Sequence, residues 1–321
     1  MASLKTNILE NKNFWYKNSH VIIIYLFTVA LMIIAAVLDK DFLTVRNLNN
    51  LVLSAFPIMI ASFGQMLIIL TAGIDLSLGS IVSLCNVLSV AFMKPSEPHG
   101  YVAAVIIALI TGIACGVLNG LLTTKARLTP VITTIATMSV YGGLALAIRP
   151  VPRGRVHGGF SKFMLGKSGF PTHIILMVIL TIVLYVITTN IPFGRKLRAV
   201  GGNVDAAYST GIPVNRIKMY AYSLAGLLAG ISAIFLTAQM RCGDATVGDS
   251  YTMNSITVAV IGGTLLSGSV GNALGIVAGG FMMMVLNNIL NLVGVSSFYQ
   301  YVFQGMILII ALAVSSLKSR K

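Results

Sequence analysis

The sequence predicts an all-α membrane protein, a polytopic helical bundle of about ten transmembrane helices. Hydrophobic residues make up 56% of the 321-residue chain and charged residues only 9%, with a mean hydropathy of +0.91. A soluble domain has roughly a quarter of its residues charged, so the bilayer has to be the solvent for most of this surface. In addition, apolar runs of about the 20 residues that cross a hydrocarbon core as a helix recur along the whole length.

Residues 1–20 read as a cytoplasmic segment, residues 21–317 as the membrane domain and residues 318–321 as a cytoplasmic tail. The first span, Val21 to Leu38, is too long for a signal h-region. Asp39-Lys40-Asp41 stands where a cleavage site would need small residues. Further spans are expected at Leu51 to Thr71, Leu78 to Met93, Tyr101 to Leu122, Val131 to Ile148 and His173 to Thr189. After a polar stretch follow Met219 to Gln239, Asn254 to Leu266, Ala273 to Val293 and Tyr301 to Leu317. A shift of 190 residues lays Gly73-Ile74-Asp75-Leu76-Ser77 over Gly263-Thr264-Leu265-Leu266-Ser267, a weak internal repeat in which glycine punctuates two breaks.

The net charge of +14 does not indicate a nucleic-acid partner, because the cations lie in short clusters between apolar runs. They orient the chain instead. Lys5, Lys12, Lys17, Lys125, Arg127, Arg195, Lys196, Arg198, Arg216, Lys218, Lys318, Arg320 and Lys321 share one side, so both termini are expected in the cytoplasm. The loop from Arg149 to Phe170 opposes this rule, with five cations and no acid on the outer side.

No enzyme or motor is legible. The nearest match to a phosphate-binding loop is Gly166-Lys167-Ser168, but Ser161 stands where its first glycine belongs. Cys85, Cys115 and Cys242 lack metal-ligand spacing, and no metal or cofactor site is expected. Asp75 is the one acidic residue at a span boundary, a helix cap or, alternatively, a ligand group. With Asp75, the uncharged polar residues Ser77, Gln65, Asn86, Asn287 and Asn291 are the candidates for a solute pathway. Their amides and hydroxyls suit a neutral, hydroxyl-rich solute, and they equally suit bonds between helices. Between Asn190 and Lys218, Gly201-Gly202 is expected to break the chain and Asn203 to cap a short helix with Asp205 in its first turn. Gly211 and Pro213 end that segment. Such a rigid knob suits a groove on a partner protein.

These motifs in their order resemble the permease subunits of ribose-type sugar ABC importers over nearly the whole chain. The resemblance rests on Ala72-Gly73-Ile74-Asp75-Leu76-Ser77-Leu78-Gly79-Ser80, on Gly201-Gly202-Asn203 with Ala206-Ala207 and Gly211-Ile212, and on Ile261-Gly262-Gly263-Thr264. Asn287-Asn288 through Gly294-Val295-Ser296-Ser297-Phe298-Tyr299-Gln300 completes it. It implies a type II-like permease in a bacterial inner membrane, paired with a second copy or a paralogue. An extracytoplasmic sugar-binding protein would deliver a monosaccharide, and a separate cytoplasmic ATPase, which holds the ATP and Mg, would grip the segment from Gly201 to Gly211. Arg149, Arg153 and Arg155 become candidates for docking the binding protein. The family often carries two acidic residues after the position of Tyr251, where this chain has Thr252, Met253 and Asn254. That departure leaves the solute open among a ribose-like sugar, an autoinducer-like sugar, a nucleoside and an amino acid. A stand-alone secondary carrier would need ion-binding groups in its spans.

Overall fold

The computed structural model describes residues 21–169 and 171–319. The expected cytoplasmic segment 1–20, with Lys5, Lys12 and Lys17, lies outside the described residues, as do Phe170, Arg320 and Lys321. Every extended apolar run folds as a helix. The outer-face and core helices of the first half are α1 (Val21–Leu38), α2 (Val45–Ile69), α3 (Leu78–Ala91), α4 (Val102–Thr124) and α5 (Pro130–Ile148). A short α6 (Gly158–Met164) precedes α7 (Thr172–Thr189), and two short helices follow, α8 (Pro192–Gly202) and α9 (Val204–Ser209). The chain continues through α10 (Val214–Met240), α11 (Asp249–Ile261), α12 (Ala273–Leu292) and α13 (Ser297–Ser319).

Seven of these, α1, α2, α4, α5, α7, α10 and α12, are long and apolar enough to cross a membrane. The 23 residues of α13 also have the length. The 14 residues of α3 and the 13 of α11 do not, since at 1.5 Å per residue they reach about 20 Å of the roughly 30 Å needed. The expected span from Asn254 to Leu266 is therefore corrected: the helix stops at Ile261, and Gly263 turns the chain with φ 86°.

Burial sets the order of the bundle. The apolar window of α2 is 89% buried and that of α10 78%, against 11% for α1. The two central helices are shielded by protein, while α1, α4, α5 and α7 present Ile, Leu and Val outward, as a lipid-facing surface requires. Close approach of α4 to α10 depends on glycine. A Cβ placed on Gly112 would stand 2.3 Å from the carbonyl oxygen of Gly226, and one on Gly226 would stand 2.1 Å from that of Gly112. Small residues four apart, such as Gly112 and Gly116 on α4 and Gly226 and Gly230 on α10, are the usual means by which membrane helices bring their backbones together.

A further expectation changes. Gly201 and Gly202 do not break the chain; they form the last turn of α8, and the interruption falls at Asn203 in extended conformation (φ −159°, ψ 113°). The reason is packing: a Cβ on Gly201 would lie 2.0 Å from the carbonyl oxygen of Leu70. The basic loop that begins at Arg149 has local structure of its own. It contains α6, N-capped by the His157 side chain, and Arg153 and Gly243 exchange both backbone hydrogen bonds at 3.1 and 3.0 Å.

Candidate functional site: a polar cavity, a buried carboxylate node and the α9 knob

The sequence-predicted polar residues fall into three separate places. The break after α2 holds the first. Asp75, 1% exposed, accepts hydrogen bonds at Oδ1 from the Ser77 N–H at 2.8 Å and the Ser77 hydroxyl at 2.6 Å. Its Oδ2 accepts from Asn119 Nδ2 at 3.2 Å, and Asn119 in turn accepts from the Tyr141 hydroxyl at 3.1 Å. With its amide turned to suit its neighbours, Gln65 pairs with the Asp75 backbone, donating to its carbonyl at 3.1 Å and accepting from its N–H at 3.2 Å. Thr134 accepts from the Leu76 N–H at 3.1 Å. The node thus ties α2, α3, α4 and α5 together at the point where the backbone leaves its helix. Free N–H groups inside a membrane bundle need such partners.

Asn86 belongs to a second structural junction. Buried on α3, it donates to the Thr237 hydroxyl at 2.8 Å and accepts from the Asp244 N–H at 2.7 Å, pinning the loop between α10 and α11.

Asn287 stands elsewhere, in the wall of a cavity of about 330 Å³ between α2, α10, α11, α12 and α13. Ser54, Gln239, Ser250, Tyr251, Asn254, Gln300, Tyr301 and Gln304 supply the rest of its polar lining, which contains no charged side chain. Gln304 donates to Asn287 Oδ1 at 3.2 Å, and Gln300 donates to Asn291 Oδ1 at 2.7 Å. Asn291 is itself exposed, one turn beyond Asn287. Amide and hydroxyl groups from five helices therefore converge on a space near the lower end of the size range for small-molecule pockets. Asn254, which stands where acidic residues were expected from the resemblance, is one of these wall residues. The contribution of Ser54, Ser250 and Tyr251 is not visible in the sequence, because only the packing of distant helices brings them to the cavity.

The segment around α9 stands apart from all three. Asn203 caps α9 by accepting from the Ala206 N–H at 2.9 Å, and Gly211 turns the chain with φ 78°. Ala207 is buried against the bundle, while Asp205 and Ala206 are exposed. Tyr208, which sequence reasoning did not single out, projects with 76% of its surface exposed beside a cavity of about 460 Å³ lined by Lys125, Asp205 and Arg216. Behind this knob, Arg198 on α8 is half-buried, which lowers the pKa of its guanidinium below the ordinary value.

In the basic loop, Arg149 donates to the Arg153 carbonyl, so its side chain serves the loop's own fold. Burial first, and the neighbouring Arg153 charge second, hold its pKa below the usual arginine value. Arg153 and Arg155 are exposed.

Comparison with known proteins fits this arrangement. The family model described as branched-chain amino acid transport system / permease component matches residues 47–312. The ribose import permease protein RbsC of Bacillus subtilis (strain 168) is 40% identical over 90% of this chain and 90% of its own length. RbsC of Escherichia coli (strain K12) is 33% identical over 90% and 92%. The galactose/methyl galactoside import permease protein MglC of Salmonella typhimurium is 30% identical over 97% and 98%. No solved structure matches. The chain is therefore a multi-pass membrane protein that belongs to the permease-component family of ABC importers, together with the ribose-type permeases.

Proposed function

We propose that this chain is the permease subunit that passes a monosaccharide, a ribose-like pentose or a hexose, across a bacterial inner membrane with both termini in the cytoplasm. The observation that carries the reading is the wall of the cavity around Asn287, built from uncharged amides and hydroxyls. A sugar presents several donor–acceptor hydroxyls and no charge, and such a wall can satisfy them. An amino acid would bring an ammonium and a carboxylate, and neither would find an opposite charge there. The relatives named for ribose and galactose import support the same choice.

Mechanistically the chain supplies half of a passage. Its cavity lies at the margin of the bundle, where α13 exposes Phe298, Tyr299 and Val302, a face suited to a second copy or a paralogue. An extracytoplasmic binding protein docks on the outer loop with Arg153 and Arg155. A cytoplasmic ATPase, which carries the ATP and Mg²⁺, grips α9; this chain holds no cofactor of its own. Closure of the ATPase pushes α9 and switches the paired permeases between outward-open and inward-open states. Asp75, Ser77, Gln65 and Asn86 hold the helices in register, and Asn287 with its cavity neighbours touches the sugar. Radiolabelled ribose and leucine offered to proteoliposomes containing all three proteins test the choice of solute. Ribose uptake without leucine uptake is expected, and the reverse would overturn it.

A further inference from the structure

The two interruptions of the internal repeat, after α2 and after α11, meet under the end of α8. The Ser269 N–H donates to the Leu70 carbonyl at 3.2 Å, joining them directly. Gly201 sits in the angle between them: a Cβ there would lie 2.0 Å from the Leu70 oxygen and 2.7 Å from the Ser269 nitrogen. Arg198, one turn earlier, spreads its guanidinium over backbone carbonyls, donating to Gly271 at 2.8 Å, Ser269 at 3.4 Å and Thr188 at 3.5 Å. Among the described residues no carboxylate pairs with it. A planar fork of fixed donors suits this multiple grip in a way that a lysine ammonium does not. Ala72 and Ser269, at φ 58° and 68°, and Gly268, at φ 90°, show that both interruptions use left-handed backbone beside the joint. Ala72 and Ser269 do so at a cost that only surrounding contacts can hold in place.

We propose that Arg198 is a positioning residue that clasps α8 to the second interruption, which the Ser269–Leu70 bond ties to the first, so that movement of the cytoplasmic segment reaches α2–α3 and α11–α12 together. This rests on the reading of α9 as the ATPase contact. The clasp is local, and it gives one push two outlets, each at the end of a helix that lines the polar cavity.

The full chain, reconstituted with its ATPase and binding protein, tests this by hydrogen–deuterium exchange across residues 68–77 and 262–272 on addition of ATP, a readout that needs no sugar. In the wild type both segments respond. In R198Q, capture of the ATPase persists, but the response of both segments falls at least fivefold, as does ribose taken up per ATP hydrolysed; R198K recovers part of each. Equal responses in R198Q and the wild type would overturn the proposal. If R198Q does not reach the membrane folded, Gly202→Cys with Ser269→Cys in the R198K background decides, with Cys85, Cys115 and Cys242 replaced by alanine. A Cβ on Gly202 lies 3.8 Å from that of Ser269, within the range a disulfide spans. Oxidation should raise uptake per ATP above the reduced value, and no rise would overturn the clasp. The reading on which it rests fails separately, when Ala206→Glu leaves ATPase capture intact.

Discussion

Asp75 shows how a single residue can mislead and inform at once. As the one acidic residue at a span boundary it invites a role in ion coupling, yet its carboxylate is consumed by Ser77 and Asn119. Replacing it with alanine leaves those buried donors without partners, at about 1–3 kcal/mol for each group left unpaired. Asp75→Ala should lower the thermal midpoint of the detergent-solubilised protein by several degrees, whereas Asp75→Asn should cost less. An unchanged midpoint in the alanine variant would contradict the node. Asn287 predicts the opposite pattern. Asn287→Leu removes one neutral hydrogen-bonding group from the cavity, a change of about 1 kcal/mol. Ribose uptake should therefore fall roughly fivefold while thermal stability and ATPase capture stay near the wild type. The sequence marks both residues equally, as polar groups at span level, because periodicity and composition do not say which helix faces which. Partner assignment separates them, and that depends on helices far apart in the chain.

At the scale of elements, legibility follows hydropathy. The seven long apolar helices are readable because their length alone satisfies the bilayer. The half-length α3 and α11 are less so, since an apolar run ending at glycine can continue through the break, as Asn254 to Leu266 does on paper. The two glycines of α8 illustrate the same limit: glycine as a breaker and glycine as a close-packing residue look alike until Leu70 is known to lie against Gly201. The α4–α10 contact yields a firm expectation. Gly112→Val places atoms where the Gly226 carbonyl stands and should cost at least about 1–3 kcal/mol. A monodisperse protein of wild-type stability would contradict this packing. On α9, Tyr208→Ala should weaken ATPase capture, because a side chain 76% exposed on a capped, rigid turn contributes little to the fold itself. Capture measured by affinity pull-down at matched expression decides this.

For the whole molecule, the proposed orientation rests on charge distribution, and the basic loop from Arg149 is its severest test. Tyr208→Cys should react with an impermeant thiol reagent only from the cytoplasmic face, and Arg155→Cys only from the outside. Labelling of both from one side would break the proposed topology. The outer cations also predict salt-sensitive docking: Arg153→Glu with Arg155→Glu should slow delivery by the binding protein most at low ionic strength. The central claim concerns the chain as a passage without a motor. It is tested most directly by radiolabelled ribose uptake into proteoliposomes containing this chain, with and without the ATPase and binding protein. Uptake is predicted only when all three proteins and ATP are present; sustained accumulation by this chain alone would contradict the account.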